Sequence, residues 1–411
     1  PDPQTLQIRN CGGQPLQWEI VEDCSWLEAA PGSGVSTDQI NEVTITVNPS
    51  GLMPGLYIYD FKVEDPNASN SPVTIRVTMP VGTVLPVPSP NYPTIQAAID
   101  AADNYDIVLV ADGNYTGDGN KNLDFGGKPI TVRSENGPNN CTIDCENSGR
   151  GFYFQNEETE NSLVDGFTIT NGGVRIYCEE GSPTINNCNI SGNNGCGIFC
   201  YRQSNPTITN CIITANKERG GIYCDYSSSP TITNCTISGN WAGYHYAGGI
   251  YCEGSRLTIT NCTISENNGP GIYRCAGPIT NCIISGNSAV EGGGLDWCSG
   301  PVTNCIITDN IADYGGGLAG CSSPVTNCLI SNNIAREGGG LYECSGPVTN
   351  CTISGNLASG RRGEGGGLYE CYGPIRNCII WDNVAPLNSQ LCYSTNLTYS
   401  CIQDWTNGGQ G

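Results

Sequence analysis

The chain has 411 residues, 25 of them Cys, and a formal net charge of −22 from 39 acidic against 17 basic side chains. So acidic a chain offers no basic patch for nucleic acid or anionic lipid, and no apolar run reaches the roughly 18 residues that a membrane-spanning helix needs. Cysteine this dense is unusual where thiols are kept reduced, which points to secretion, although the chain opens Pro1-Asp-Pro-Gln with no signal peptide.

Residues 1–83 carry the alternating runs Glu42–Val47, Leu56–Val63 and Val73–Met79, which predict antiparallel strands of a small β-sandwich. Cys11 and Cys24 are candidates to bridge within it. The segments Cys24-Ser-Trp-Leu27 and Asn48-Pro-Ser-Gly-Leu-Met-Pro-Gly-Leu-Tyr57 resemble the BACON family of immunoglobulin-like modules. That resemblance implies attachment to carbohydrate-active or cell-surface proteins. Residues 84–91, which contain Val84-Leu-Pro-Val-Pro-Ser-Pro90, read as a semi-rigid Pro-rich linker.

A second domain is expected over residues 92–411. Its first element is a short helix within Tyr92–Ala102, because Ile95, Ala98, Ile99 and Ala102 fall at i, i+3, i+4 and i+7. Strands follow at Asp106–Val110 and Ile130–Val132.

From Cys188 onward an Asn-Cys dipeptide returns about every 23 residues, at Cys188, Cys211, Cys235, Cys262, Cys282, Cys305, Cys328, Cys351 and Cys378. Around it, Ile232, Cys235 and Ile237 alternate with Thr233, Thr236 and Ser238, which is a strand period. A second, Gly-led strand completes each repeat, as in Gly248-Gly-Ile-Tyr-Cys252. Short strands at this period predict coils of a parallel β-helix. Asn before each Cys and Asn five residues after it (Asn193, Asn216, Asn240 and their successors) mark bends, and stacked copies are suited to an amide ladder.

Residues 92 to 405 resemble the pectin-lyase-like superfamily of right-handed parallel β-helices, in its repeat-rich extracellular bacterial form with Thr-Ile-x-Asn-Cys-x-Ile-Ser-x-Asn coils. The fold class expected is therefore all-β, a right-handed parallel β-helix preceded by a sandwich, with the Tyr92–Ala102 helix as its N-terminal cap.

Most repeats carry a second cysteine before the Asn-Cys one. The pairs are Cys178 and Cys188, Cys200 and Cys211, Cys224 and Cys235, Cys252 and Cys262, Cys275 and Cys282, Cys298 and Cys305, Cys321 and Cys328, Cys344 and Cys351, and Cys371 and Cys378, with Cys392 and Cys401 closing the series. Either a disulfide closes the bend in each coil, the favoured reading, or buried thiols stack along the axis. Cys196 falls outside the pairs. Sequons at Asn67, Asn114, Asn140, Asn189, Asn234, Asn261, Asn350 and Asn396 are candidate glycosylation sites, or by-products of the Thr-Asn-Cys-Thr repeat.

Outward positions of the second strand hold Tyr177, Phe199, Tyr223, Tyr251 and Tyr273 in successive coils, then Asp296, Ala319, Tyr342 and Tyr369. An aromatic strip there would contact sugar rings or a protein partner, unless the chain's own loops cover it. Insertions at Trp241-Ala-Gly-Tyr244-His-Tyr246 and Ser359–Glu364 predict protruding recognition loops.

No catalytic residue emerges. His245 is the sole histidine, and Asp165, Asp225, Asp296, Asp309 and Asp382 occupy different repeat positions. No metal site or cofactor is indicated, with structural calcium left open. No amphipathic segment follows Cys401, so the last coil is expected to be open to head-to-tail packing with another copy. The function read from sequence is a secreted, non-catalytic structural or adhesive protein, partnered by itself in filaments. The alternative is binding of extracellular polysaccharide through the aromatic strip or the sandwich. A polysaccharide lyase or glycoside hydrolase is third.

Overall fold

The computed structural model describes residues 3–404 apart from Pro54, Val174, Arg175, Tyr226, 244–246, Arg362 and Thr395. Tyr244 and Tyr246 of the first inserted loop thus lie outside the described residues. The chain divides into two compact units, Pro1–Val84 with Asp103–Ile107, and Leu85–Ala102 with Val108–Gly411.

The first unit contains β1 (Gln4–Arg9), β2 (Leu16–Val21), β3 (Leu27–Ala30), β4 (Ser33–Ser36), β5 (Ile40–Val47), β6 (Gly55–Glu64) and β7 (Val73–Val81). They form two antiparallel sheets, ordered β1-β5-β3 and β4-β2-β6-β7. Strand alternation sends Trp18 and Ile20 of β2, Val43 and Ile45 of β5 and Phe61 of β6 into one shared core. The bridge expected between Cys11 and Cys24 is not formed: Cys11 is an exposed thiol and Cys24 a half-buried one packed at the core's edge.

In the second unit the expected Pro-rich spacer is corrected. Val84–Val87 forms β8, the terminal strand of a 14-stranded parallel sheet, and Leu85 and Val87 are buried in the β-helix core. Only apolar residues at alternate positions could be enclosed this way, and Leu85 and Val87 supply them between prolines. The cap helix α1 runs Ile95–Ala101, with the Thr94 side chain accepting from the Ala97 N–H as its N-cap. Its expected apolar face, Ile95, Ala98, Ile99 and Ala102, is fully buried.

Each coil contributes one short strand to each of three parallel sheets, called I, II and III in chain order. In one coil these strands are Thr231–Thr233, Thr236–Ser238 and Ile250–Cys252. Among the described residues sheet I has 14 strands, sheet II has 13 and sheet III has 12. Register is kept coil by coil, as Ile208 pairs with Ile232 and Ile232 with Ile259. Ile232, Cys235 and Ile237 all point inward, as the alternation predicts.

Both asparagine series have the structural role expected of them. The Asn before each Cys turns the chain from sheet I to sheet II in the left-handed region, with φ of 49° at Asn187, 55° at Asn234 and 54° at Asn350. The second series is buried and forms a ladder: Asn240 Nδ2 donates to Asn267 Oδ1 at 3.0 Å and to the Ile213 carbonyl at 2.9 Å. The same pair of bonds recurs through Asn356 and Asn383.

The expected in-coil disulfides are corrected to stacked thiols. Cys178, Cys200, Cys224 and Cys252 are in register with one another across successive strands of sheet III. Cys200 Sγ hydrogen-bonds Cys178 and Cys224, one coil away on either side. Cys275 continues this file against Cys252, and Cys298, Cys321, Cys344 and Cys371 extend it. A second file runs through Cys188, Cys211, Cys235, Cys262, Cys282, Cys305, Cys328, Cys351 and Cys378. Its thiols also donate to backbone carbonyls, as Cys235 Sγ does to the Thr233 carbonyl at 3.3 Å. The reason lies in the topology: a parallel stack sets equivalent residues of adjacent coils only about 4.8 Å apart, nearer than two corners of one coil. Burial pushes the Cys178, Cys224 and Cys252 thiols up, which keeps them protonated at neutral pH. Cys392 instead donates to Glu364 Oε2 at 2.9 Å, and Cys401 is exposed.

Candidate functional site

The outward column of sheet III assembles in the register expected. Tyr177, Phe199, Tyr223, Tyr251 and Tyr273 pair coil to coil, preceded by Tyr153, which the repeat pattern did not reveal. Ring centroids are 5.0 Å apart for Tyr177 and Phe199 and 4.6 Å for Tyr223 and Tyr251, with planes within 9° of parallel.

This column is not the open strip expected. Phe199, Tyr223 and Tyr251 are buried with Cys196 and Ala247 in a small second core, while Tyr177 and Tyr273 are half-buried. Ring faces are taken up by neighbouring rings and by arginine: the Arg150 guanidinium lies 4.6 Å from the Tyr153 centroid, and that of Arg219 lies 4.9 Å from Tyr223. Parallel in-register stacking makes each ring its neighbour's cover, so no sugar can reach these faces. Hydrogen bonds fix the outer edge, where Tyr251 Oη donates to Glu253 Oε2 at 2.6 Å and Tyr153 Oη donates to Glu179 Oε2 at 3.2 Å. Burial together with the Glu253 carboxylate drives the Tyr251 hydroxyl far above its usual range.

What remains open is the corner that follows sheet III. In successive coils this corner takes the left-handed region at Glu157, Glu180, Gln203, Ser227, Gly254, Arg274, Trp297, Gly320, Glu343 and Glu370. They make a file of corner residues from coil to coil, three or four residues past the ring position as far as Gly254 and directly after it from Arg274 onward. At the end nearer the cap, Glu157, Glu180, Arg202, Gln203 and Ser227 line a groove of about 610 Å³. Arg202 is held there by Glu179 at 2.7 Å and lies over the Tyr201 ring.

Farther along, Trp297 is 53% exposed. A Cβ built on Gly320 would lie 2.9 to 3.3 Å from three atoms of the Trp297 indole, so the ring lies face-on over that glycine. Gly320 has φ +60° and no side chain, and so gives Trp297 a flat seat. The indole's other face is left to solvent.

Beside Trp297 the ring column is interrupted. Asp296 stands in the ring position between Tyr273 and Ala319, only 5% exposed, and its Oδ1 has no hydrogen-bond partner. Burial and then the Glu291 carboxylate push its pKa up to about 7, against a smaller opposing pull from Arg274. Arg274 is itself committed to Glu253 at 2.9 Å and lies 5.0 Å from the Tyr273 centroid. Asp165 lies on sheet I, Asp309 and Asp382 follow strands of sheet II, and Asp225 follows the sheet III strand Ile222–Cys224 three coils before Asp296, so these acids stay dispersed. Glu291 does act on Asp296, however, and sequence reasoning missed it because Glu291 precedes the strand.

Trp241 is 48% exposed and stands apart from Trp297, bridging Asn268. The sequon residues Asn67, Asn114, Asn140, Asn234, Asn261, Asn350 and Asn396 are exposed and Asn189 is half-buried. Among the described residues no group of three or more His, Cys, Asp or Glu is arranged to hold a metal ion, and no helix is long and apolar enough to cross a membrane.

The right-handed β-helix region family matches at residues 106–249, 219–312 and 248–408. The chain belongs to that family. No curated protein sequence matches it. Solved structures with a similar fold include the A-module of Azotobacter vinelandii mannuronan C-5 epimerase, at 17% identity over 75% of this chain and 91% of that one, with a TM-score of 0.37. The catalytic unit of the Streptomyces thermodiastaticus GH87 α-1,3-glucanase is 14% identical over 97% of this β-helix chain and 89% of its own, TM-score 0.34. Aspergillus niger pectin methylesterase is 14% identical over 66% and 86%, TM-score 0.31. Values this low say nothing of this protein's own activity.

Proposed function

We propose that this β-helix protein binds a polysaccharide lengthwise along the corner file after sheet III, with Trp297 as its stacking platform. The observation that carries this reading is Trp297 itself, a half-exposed indole laid flat on Gly320 with one face free. A flat, immobile, amphipathic ring suits the apolar face of a pyranose, since little side-chain entropy remains to be lost on binding. The groove at Glu180, Arg202 and Gln203 lies on the same file and offers donors and acceptors to sugar hydroxyls. Coil spacing of about 4.8 Å is close to the length of one hexose in an extended chain, so a polymer would meet one corner residue per sugar.

Compared with the polysaccharide-binding alternative drawn from sequence, this reading moves the contact from the ring column to the corner beside it. Polymers of this length are met outside the cell, so an extracellular location belongs to the reading. The N-terminal unit, with its BACON-like sequence, fits an accessory module of such a protein. Calorimetric titration with hexasaccharides of glucose, xylose, glucosamine and N-acetylglucosamine tests it. At least one should bind, and Trp297→Ala should weaken that binding at least roughly tenfold, the loss of about 1.4 kcal/mol of stacking. Binding by none of them, or binding indifferent to Trp297, would overturn it.

A further inference from the structure

The glycan reading is silent on charge, yet the surface beside Trp297 has a pronounced sign. Glu291, Glu337 and Glu364 occupy one position in the approach to sheet III, with Tyr314 between the first two. Glu343 and Glu370 form a parallel file at the corner. Among the described residues none of these five carboxylates has an ion-pair partner. Asp296 points outward from its strand into this group, 95% buried, with Oδ1 unpaired. A buried carboxyl oxygen with no donor is costly, by about 1–3 kcal/mol, and among the described residues only Asn193 Oδ1, at the start of the ladder, shares that condition.

Aromatic rings alternate with the acids. Tyr314 lies 5.2 Å from Tyr342, and Tyr342, two coils beyond the Asp296 position, stacks on Tyr369 at 5.3 Å. Carboxylates interleaved with aromatic rings are the chemistry that recognises an organic ammonium, by ion pairing and by attraction to the ring face. A polyuronate would instead be repelled by these carboxylates, since Arg274, the guanidinium acting on Asp296, is held by Glu253.

Resting on the glycan reading, we infer that the polymer bound at Trp297 is an amine-bearing polysaccharide, with a sugar ammonium donating to Asp296 and facing Glu291. The ammonium supplies the donor that Asp296 Oδ1 lacks. It also relieves the repulsion between Asp296 and Glu291. The charged and titratable groups acting on Asp296 are Glu291, Arg274 and Cys344. A bound ammonium favours the ionised carboxylate, so binding near neutral pH releases a proton from Asp296.

The test uses the full chain and three hexasaccharides, of glucosamine, of N-acetylglucosamine and of galacturonic acid, with hexalysine as a non-glycan cation. Titrations at pH 7 and low salt, in buffers of differing ionisation enthalpy, should show the glucosamine hexamer binding roughly tenfold or more tighter than its N-acetylated counterpart, as one charged hydrogen bond supports. That binding should release protons. Asp296→Asn should abolish the proton release and most of the preference, and Glu291→Gln should reduce the preference in a variant that leaves Asp296 in place. Equal affinity for the two hexamers, with both sensitive to Trp297→Ala, overturns the inference and leaves the glycan reading standing. Binding of neither overturns both. Hexalysine binding as tightly as the glucosamine hexamer overturns the assignment to a glycan, and preference for the galacturonate overturns the inference of an ammonium while leaving a glycan.

Discussion

Asn310 Nδ2 donates to Asn333 Oδ1 at 3.0 Å, and Asn310 Oδ1 in turn accepts from both the Nδ2 and the backbone N–H of Asn287. A fourth bond goes from its Nδ2 to the Ile284 carbonyl at 2.9 Å. Asn310→Ala therefore strands the Asn287 donors and the Ile284 carbonyl on one neighbouring coil and removes a donor from Asn333 Oδ1 on the other. At about 1–3 kcal/mol per stranded group, a loss on the order of 4 kcal/mol is expected. Asn193, at the first position of the ladder, has no partner for its Oδ1, so Asn193→Ala should cost clearly less. Urea denaturation of the two variants side by side checks the ordering, and equal midpoints would refute it.

The thiol files make a prediction about cross-linking. In-register neighbours such as Cys200 and Cys224 have their Cα atoms about 4.8 Å apart, within the roughly 4.4–6.8 Å that a disulfide spans. Partial unfolding in the presence of a disulfide oxidant, followed by refolding and peptide mapping without reductant, should give links between adjacent coils. Cys178 joined to Cys188 within one coil would contradict the arrangement.

Much of this architecture could be read from the chain, and the part that could not has a common cause. Inward and outward positions, the bend at Asn234 and the ladder at Asn240 depend on local alternation and turn chemistry, which a single repeat displays. What depends on the step between coils was hidden. Cysteines ten or eleven residues apart looked like partners, yet the partner of Cys200 lies 24 residues on, at Cys224. Tyr223 was correctly placed on the outer side of its strand, but outer did not mean exposed once Phe199 and Tyr251 stacked against it. Asp296, Glu291 and Trp297 went unseen as a group because two of them break the column's pattern and the third precedes the strand.

Stability and binding should separate cleanly across this surface. Tyr223 is buried between Phe199 and Tyr251, so Tyr223→Ala should destabilise the fold by about 3 kcal/mol, in the range for a buried aromatic truncation, while leaving glycan affinity unchanged. Trp297→Ala should do the reverse, since the indole is half exposed and touches mainly a glycine. Thermal melts and calorimetric titrations on both variants decide the matter. Loss of glycan affinity in Tyr223→Ala with native stability would return the contact to the ring column.

Asp296 should make the fold's stability depend on pH in an unusual direction. Its folded-state pKa is raised, to about 7, above an ordinary carboxyl near 3.8. A group raised in this way contributes fully below its unfolded pKa, and that contribution fades as pH climbs from about 4 through 7, because the buried carboxyl is forced to ionise. Asp60 beside Arg76 and Glu146 beside Lys121 are shifted the other way and favour the folded state as pH rises. Asp296→Asn keeps the shape and removes the ionisation. The variant should match the parent near pH 4 and exceed it at pH 8 by on the order of 4 kcal/mol, as a shift of this size implies. Melting curves of both proteins from pH 4 to 9 would show the difference opening between these limits. A constant difference across the range would mean that Asp296 is ionised throughout, and that Glu291 and burial do not act on it as the geometry requires.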